Sequence, residues 1–345
     1  AGKSGGMARL SPRKGFCDYF DRFDRVTSME HAYPAGIDIG STTVKLVICD
    51  PREKVLFSRY RRHHALTVDT VRALLTEARE SLGDCFVDPA FTGSAGMGMA
   101  EHDGFPFIQE VVASAKLIGR RWPDVRTLIE IGGEDSKVAF FDEEFQPDIR
   151  MNGSCAGGTG AFIEQMAVLL DVPLDDFDRL AGNSRTLYPI ASRCGVFAKT
   201  DIQALLSNRV SREDIAASVF HAMALQVIST LARGSDVRKK ILFAGGPLTF
   251  FPRLRDAFIR LLDLHPERDL AVCDHPERIA AEGAALHRRE VPHRLRLGEW
   301  LRILEKEKRL GRREAGKRLE PLFRSREEFG SWEDRHRQHR TQKID

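Results

Sequence analysis

Two stretches of the sequence repeat one pattern: an apolar strand, a small polar turn and a second strand. The first is GIDIGSTTVKLVICD, residues 36–50, and the second is VRTLIEIGGEDSKVAFF, residues 125–141. Short runs rich in β-branched residues and bounded by glycine turns predict β-hairpins. Helical and further strand patterns follow each copy. We therefore predict an α/β chain with a duplicated βββαβα pattern.

The duplication also predicts the domain organisation. We expect an irregular leader over residues 1–34, a first domain over 35–123 and a second domain over 124–290. The chain is expected to return to the first domain near residues 275–290. Residues 291–345 are charged and poor in core formers, which predicts a helical tail or linker.

Three patterns in the second domain predict individual elements. Residues 212–233 and 248–262 carry apolar side chains at helical spacing, and each predicts a helix. The run LAVCD, residues 270–274, predicts a strand because it is short, apolar and bounded by charged residues.

Composition limits the possible partners and compartments. Hydrophobic residues make up 42% and charged residues 30% of the 345 residues, as in globular domains. No uninterrupted apolar run approaches the roughly 18 residues of a membrane helix, so we expect no membrane partner. Six irregularly spaced cysteines do not make a disulfide framework and indicate a reducing cytoplasm. Acids alternate with the basic residues of the tail, which argues against a nucleic-acid partner.

Three small-residue turns follow predicted strands and are candidates for binding phosphate. Glycine lets the backbone approach a ligand closely, and exposed N–H groups and hydroxyls then contact phosphate oxygens. The sequence has no GxxxxGK[ST] loop, which disfavours the P-loop class. The candidate binding residues are Gly40, Ser41, Thr42, Thr43, Gly132, Gly133, Glu134, Gly245, Gly246 and Pro247.

Charged residues beside these turns suit a magnesium nucleotide. Asp38 and Asp135 supply the carboxylate oxygens that Mg²⁺ prefers, either directly or through water. Lys45 is expected to balance phosphate charge. We predict Asp38, Glu130 and Asp135 as catalytic residues, with Glu130 and Asp135 as the candidates for activating the hydrolytic water.

Two cysteines stand just ahead of predicted helices, Cys155 in MNGSCAGGTGAF and Cys194 in IASRCGVFAKT. A thiolate at a helix N-terminus has a lowered pKa and is a better metal ligand. The alternative is that each is a small buried hydrophobe. Because a cubane cluster or zinc site takes four ligands, two cysteines make half a site, which a twofold dimer would complete.

The motifs carry a family resemblance over about residues 35–288. MNGSCAGGTGAFIEQMA, IASRCGVFAKTDIQAL, GIDIGSTTVKLV, IEIGGEDSKV and ILFAGGP together resemble the BadF/BadG/BcrA/BcrD ATPases. More narrowly, they are similar to activators of 2-hydroxyacyl-CoA dehydratases. They most resemble the first activase module of the long fused form, with Glu134 where short activators often carry glutamine.

The resemblance implies a fold and an activity. The fold is that of the actin, hexokinase and Hsp70 ATPases, in which two ribonuclease-H-like domains enclose ATP. Residues 38–43 and 130–135 would form the phosphate loops, and Gly245, Gly246 and Pro247 would border the adenosine. Cys155 and Cys194 would bind one [4Fe–4S] cluster per homodimer.

The same resemblance implies partners. ATP with Mg²⁺ would drive one-electron transfer to a dehydratase-type or other iron–sulfur acceptor protein, with ferredoxin or flavodoxin as the donor. Two alternatives remain on the sequence: a sugar or amino-sugar kinase, and a filament-forming or scaffold ATPase of the actin type. Neither alternative gives the two cysteines a role.

Four other residues are expected to be unrelated to the site. His63 and His64 stand among arginines and are predicted to lie on a surface strand. Phe250 and Phe251 follow the third glycine turn and are predicted to belong to the core rather than to stack on a base.

Overall fold

The computed structural model describes residues 32–152, 156–192, 194–232, 237–287, 293–310 and 320–337. The chain divides into two compact units, and the boundary in sequence lies between Arg302 and Ile303. The first unit contains both β-sheets and the sequence motifs. The strands of the described residues are β1 Tyr33–Ile39, β2 Thr43–Cys49, β3 Val55–Arg62, β4 Phe86–Thr92, β5 Thr127–Ile131, β6 Ser136–Phe141, β7 Pro147–Asn152, β8 Ile241–Ala244 and β9 Leu295–Arg296.

The two sheets have the same core topology. The first has the order β3-β2-β1-β4-β9 and the second has the order β7-β6-β5-β8. In each, three antiparallel strands are followed by a strand parallel to the first of them, β4 beside β1 and β8 beside β5. The predicted duplication is therefore present in the structure, and we call the two halves the first and second lobes.

Helices of the first lobe cover its sheet. They are α1 Thr67–Leu82, α2 Gly96–Asp103 and α3 Glu110–Arg121. The apolar face of α1 buries Val71, Leu74, Leu75 and Ala78, the spacing expected of a helix packed on a sheet. The helix ends at Gly83, which adopts a φ of 75°.

Helices of the second lobe form a larger core cluster against its sheet. They are α4 Gly160–Leu169, α5 Phe177–Ala181, α6 Gly195–Ser207, α7 Arg212–Val227, α8 Gly246–Phe250, α9 Pro252–Leu261 and α10 Pro266–Asp269. The helix predicted over 248–262 is in fact two helices. Phe251 has extended φ and ψ of −116° and 84° because a residue before proline avoids the helical region.

Two other predictions for this lobe need correction. The predicted strand 270–274 is reduced to a single bridge between Ile241 and Leu270. The helix predicted over 212–233 is α-helical to Val227 and then forms a π-helical turn, Ile228–Ala232. Its 21 residues are long and apolar enough in composition to cross a membrane, but 72% of the apolar window is buried within the protein. Core packing accounts for this apolar composition.

The chain returns to the first lobe through α11, Ile279–Ala285. Gly36 of β1 lies against the carbonyl of Ala281, and Gly283 lies against the carbonyl of Ala113 in α3. A Cβ atom at either glycine would overlap that backbone. The two glycines therefore let α11 pack closely between β1 and α3.

The segment expected to be a helical tail begins as part of the first sheet. Leu295 and Arg296 form β9, which pairs antiparallel with β4. Trp300 follows in α12, Leu297–Leu310, and is fully buried beside Phe91 and Phe105. The second unit contains α13, Arg326–Arg337, where Phe323, Phe329 and Trp332 form an aromatic cluster.

Candidate functional site

A cavity of about 680 Å³ is lined by the glycine turns at the strand ends of both lobes. All the binding and catalytic residues predicted for the nucleotide line this one cavity. These are Asp38, Gly40, Ser41, Thr42, Thr43, Lys45, Glu130, Gly132, Gly133, Glu134, Asp135, Gly245, Gly246 and Pro247. Residues as distant in sequence as Asp38 and Pro247 thus meet because both lobes direct the same strand ends toward the cavity.

The first two turns have the same hydrogen bond and touch each other. The Gly40 N–H donates to the Thr43 carbonyl at 2.9 Å, and the Gly132 N–H donates to the Asp135 carbonyl at 2.9 Å. Gly133 lies against the Thr42 side chain, where a Cβ atom would overlap it. The two turns therefore form the adjoining walls of the cavity.

A fourth turn matches the third, and sequence reasoning missed it. Gly93 after β4 has a φ of 88°, and Gly245 after β8 has a φ of 87°. Each packs on the carbonyl of the residue that ends the neighbouring strand, Ile39 and Ile131 respectively. The run TGSAG after a predicted strand was the available signal. Both positions require glycine, because φ is positive there and a Cβ atom would overlap the backbone of the neighbouring strand.

A buried ion pair lies beside the first turn. Lys45 Nζ is 2.8 Å from Asp38 Oδ2, and both side chains are largely buried. Burial alone would lower the pKa of Lys45, but the charge of Asp38 and its hydrogen bond outweigh burial and raise that pKa. Asp38 Oδ1 is buried without a hydrogen-bond partner among the described residues. An unsatisfied carboxylate oxygen at this position fits a Mg²⁺ ion or its bound water.

A second charged cluster involves two residues that sequence reasoning did not select, Glu110 and Lys137. Lys137 Nζ lies 2.9 Å from Glu110 Oε1 and 3.0 Å from Asp135 Oδ2, with 5% of the lysine side chain exposed. Burial and the charges of Glu130 and Asp38 raise the pKa of Glu110 to about 8. Glu110 therefore holds a proton near neutral pH beside the predicted catalytic carboxylates.

The prediction that His63 is a surface residue is wrong. His63 is buried, and the Ala65 N–H donates to its Nδ1 at 3.1 Å. The ring proton is therefore on Nε2, which donates to the Gly40 carbonyl at 3.2 Å. His63 thus supports the first turn from behind, whereas His64 is exposed as expected.

The core assignment is wrong for Phe250, whereas Phe251 packs against the core of the second lobe and the ring of Phe220. Both line the cavity, and 53% of Phe250 is exposed. The Phe250 ring lies 5.3 Å from the ring of Tyr60 in β3, and the Tyr60 hydroxyl lies against Gly246. This end of the cavity is aromatic and apolar, as a base-binding pocket requires.

The two cysteine motifs lie next to each other as far as the structure describes them. Cys155 lies outside the described residues, whereas Cys194 immediately precedes α6 and is partly exposed. Gly195 packs against the backbone of Gly157, which belongs to the loop that follows Cys155. Gln226 of α7 donates to the Gly157 carbonyl at 3.1 Å and fixes that loop.

Hydrogen bonds join this cysteine region to the second phosphate turn. The Gly160 N–H donates to the Gly132 carbonyl at 3.0 Å, and the Ala161 N–H donates to the Gly133 carbonyl at 2.7 Å. These are the first two residues of α4, so the start of this helix is bonded directly to the cavity wall. A shift of the turn would therefore be transmitted to α4.

The described cysteines outside the motifs have a different character. Burial raises the pKa of Cys49 to about 12 and that of Cys273 to about 11. Both thiols therefore remain protonated at neutral pH. Within the described residues, no group of three or more His, Cys, Asp or Glu side chains is arranged to hold a metal ion.

Comparison with known proteins identifies the family. A family model described as the BadF/BadG/BcrA/BcrD ATPase family matches residues 35–287. The chain belongs to this ATPase family. It is 32% identical over 216 residues to the (R)-2-hydroxyglutaryl-CoA dehydratase activating ATPase of Acidaminococcus fermentans, covering 62% of this chain and 82% of that protein. It is 31% identical over 257 residues to the activator of lactoyl-CoA dehydratase of Anaerotignum propionicum, covering 74% and 96%.

A solved structure supports the same family assignment. The activator of the 2-hydroxyisocaproyl-CoA dehydratase from Clostridium difficile, with bound ADPNP, superposes with a TM-score of 0.64 at 26% identity. The match covers 84% of this chain and 100% of that one. The predicted actin- and hexokinase-like ATPase fold is confirmed.

Proposed function

We propose that this protein is an ATP-dependent one-electron transfer protein that activates a partner enzyme. Its relatives named as dehydratase activators and its membership of an ATPase family support this proposal. In this proposal residues 35–123 and 124–290 act as the two ribonuclease-H-like domains. The chain returns to the first near residues 275–290, and residues 291–345 begin with β9 of the first sheet and continue into α12 and α13.

ATP is proposed to bind with its phosphates between the first two turns and its adenosine at the third. The N–H groups and hydroxyls of the turns would contact phosphate oxygens, and Lys45 would balance their charge. Asp38, with its unsatisfied buried oxygen, and Asp135 would hold Mg²⁺ directly or through water. Phe250 and Gly246 would border the base.

Hydrolysis requires a base that removes a proton from water. Glu110 lines the cavity beside Glu130 and Asp135, and its raised pKa makes its ionised carboxylate a stronger base than that of an ordinary glutamate. Lys137 bridges Glu110 and Asp135 and fixes both carboxylates. We therefore assign water activation to Glu110 and place Glu130 and Asp135 as electrostatic and metal-binding neighbours.

Cys155 and Cys194 of two identical chains are proposed to hold one [4Fe–4S] cluster in a homodimer. Cys194 fits this role because it is partly exposed at the start of α6 and lies next to the loop that follows Cys155. The small residues Ala156, Gly157 and Gly158 of that loop would leave room for an inorganic cluster. When bound, such a cluster carries a single electron at a potential that hydrogen bonds and solvent exposure adjust.

One observation carries the coupling between nucleotide and electron. The Gly160 and Ala161 N–H groups donate to the carbonyls of Gly132 and Gly133, so a phosphate turn and the helix after Cys155 are bonded together. Movement of that turn around ATP would therefore move the cysteine region. We propose a dehydratase-type or other iron–sulfur acceptor, a ferredoxin or flavodoxin donor, and a cytoplasmic location that keeps the thiols reduced.

Iron analysis after anaerobic purification tests this proposal. Cys155→Ser and Cys194→Ser are expected to lose the iron and the visible chromophore while ATP still binds, because the cavity is formed by other residues. Cys273→Ser is the matched control and should keep its iron, since that thiol lies outside the motifs. Full iron content in both motif variants would contradict the cluster assignment.

A further inference from the structure

An ion pair connects the two lobes at the nucleotide cavity. Arg62, the last residue of β3 in the first lobe, contacts Glu164 of α4 in the second lobe through its guanidinium and the Glu164 Oε1. Both residues line the cavity. Their side chains are 37% and 41% exposed to solvent. Breaking an ion pair that is exposed to this extent costs at most about 1 kcal/mol.

The position of Arg62 places it at the phosphate end of the cavity. Arg62 is the register partner of Thr43 in β2, and Thr43 ends the first phosphate turn. The next residue, His63, donates its N–H to the Thr42 carbonyl at 3.1 Å. The backbone of Arg62 is therefore fixed to the turn that would contact phosphate, while its long side chain extends to Glu164.

Glu164 connects this arginine to the cysteine region. It lies one helical turn after Gly160, whose N–H is bonded to the second phosphate turn. The helix α4 is thus held to its own lobe by these hydrogen bonds and by its core side chains Phe162, Ile163 and Met166, and the ion pair with Arg62 joins it to the other lobe. Loss of the ion pair would remove this attachment of α4 to the first lobe while its core packing in the second lobe remains.

We propose that Arg62 exchanges Glu164 for the phosphate oxygens of ATP, so that nucleotide binding releases α4 from the first lobe. The exchange rests on the proposed function, because it requires ATP in this cavity. Guanidinium groups bind phosphate oxygens through parallel N–H donors, whereas an ion pair with an exposed carboxylate contributes at most about 1 kcal/mol. Glu164 then acts as an internal competitor for the nucleotide, and Arg62 reports nucleotide occupancy to α4.

Opposite effects of two neutral variants test the exchange. Arg62→Gln removes a phosphate ligand and is expected to weaken ATP binding about tenfold. Glu164→Gln removes the competitor and is expected to tighten ATP binding about twofold to threefold. A pair that merely joins the lobes would instead change affinity in the same direction in both variants. Dissociation constants for MgATP from calorimetry on the full chain distinguish the two cases.

Two further variants sharpen the measurement. Arg61→Gln is the matched control, because the neighbouring Arg61 pairs with Glu77 at 2.7 Å and is not among the residues lining the cavity. It should leave ATP affinity within about twofold of the wild type. Arg62→Lys keeps the positive charge but lacks the paired N–H donors of the guanidinium. We expect its affinity for MgATP to lie between those of the wild type and Arg62→Gln.

Amide hydrogen exchange in α4 gives a readout that does not involve affinity. In the wild-type protein MgATP should increase exchange over residues 160–169, and nucleotide-free Glu164→Gln should already show the increase. Wild-type ATP affinity in Arg62→Gln, or a shift of the same sign in both neutral variants, would overturn the exchange alone. Failure of the wild-type chain to bind MgATP would overturn the proposed function with it.

Discussion

The hairpins β1–β2 and β5–β6 have the same backbone and different charge chemistry. Their turns share one hydrogen bond, and their registers place an acid opposite a lysine, Asp38 with Lys45 and Glu130 with Lys137. Lys45 pairs with the acid opposite it. Lys137 instead bonds to Asp135 of its own turn and to the distant Glu110.

This difference gives the two hairpins different chemical roles, although their backbones are alike. In the first hairpin one lysine neutralises one buried acid and leaves an acid oxygen available for a cation. In the second hairpin one lysine bonds to two acids, and burial together with the charges of Glu130 and Asp38 raises the pKa of Glu110. We infer that the first hairpin contributes fixed charge for binding, whereas the second hairpin faces Glu110, a residue of α3 in the first lobe that exchanges protons.

Removing the lysine of each hairpin should produce the largest contrast. Lys45→Met leaves Asp38 buried without its partner, and we expect the free energy of unfolding to fall by about 3 kcal/mol. Lys137→Met should cost only about 1 kcal/mol, because Asp135 is partly exposed and Glu110 already holds a proton near neutral pH. Urea denaturation of the nucleotide-free proteins measures both values.

An exposed lysine provides the control for this contrast. Lys240 pairs with Asp124 at the surface, and Lys240→Met should change stability by less than about 0.5 kcal/mol. Equal losses in Lys45→Met and Lys137→Met would show that the two hairpins carry their charges alike, contrary to the comparison.

The glycines after β4 and β8 test the part of the comparison that is the same in both lobes. Gly93→Ala and Gly245→Ala should each lower the free energy of unfolding by about 2 kcal/mol, because alanine is strained at a φ near 88° and its Cβ would meet backbone. Gly83→Ala isolates the dihedral strain, since Gly83 has a φ of 75° with open space around it. If only one of Gly93→Ala and Gly245→Ala lost stability, the two lobes would differ at these turns as well.

The sequence predicted the backbone of the site better than its charges. Gly40 and Gly132 were found because a glycine turn between apolar strands has a local signature. Glu110 was missed because it reaches Lys137 only when α3 packs beside the second sheet, a contact that local patterns do not encode. Lys137 did leave a signal, since it is a lysine within the otherwise apolar strand SKVAFF.

The other errors have equally local causes. Pro252 was the sequence signal that the helix predicted over 248–262 is interrupted, because proline keeps the residue before it out of the helical region. His63 was placed at the surface by its arginine neighbours, yet the chain folds it under the first turn. Phe250 was assigned to the core by its apolarity, whereas a base-binding pocket requires apolar side chains that remain accessible.

The pH dependence of ATP turnover should show the smallest effect. It tests the difference in charge chemistry between the two hairpins. If Glu110 accepts the proton of the hydrolytic water, ATP turnover rises with pH as the carboxyl ionises and levels off above about pH 8. Between pH 7 and pH 8 the rise should be about fivefold. Glu110→Gln should remove this rise and lower the plateau. A steady-state ATPase profile in both proteins measures it.

Stability provides a check with the opposite sign that does not depend on catalysis. The folded protein holds the Glu110 proton up to about pH 8, whereas the ordinary value for the unfolded chain is 4.5. The proton therefore stabilises the fold fully below pH 4.5, and that contribution is lost as pH rises toward 8. Glu110→Gln should flatten this decline, while Glu77→Gln, at an exposed pair on the outer face of the first lobe, should not. If the free energy of unfolding of Glu110→Gln declines with pH as steeply as that of the wild type, Glu110 does not exchange a proton, and the second hairpin carries fixed charge like the first.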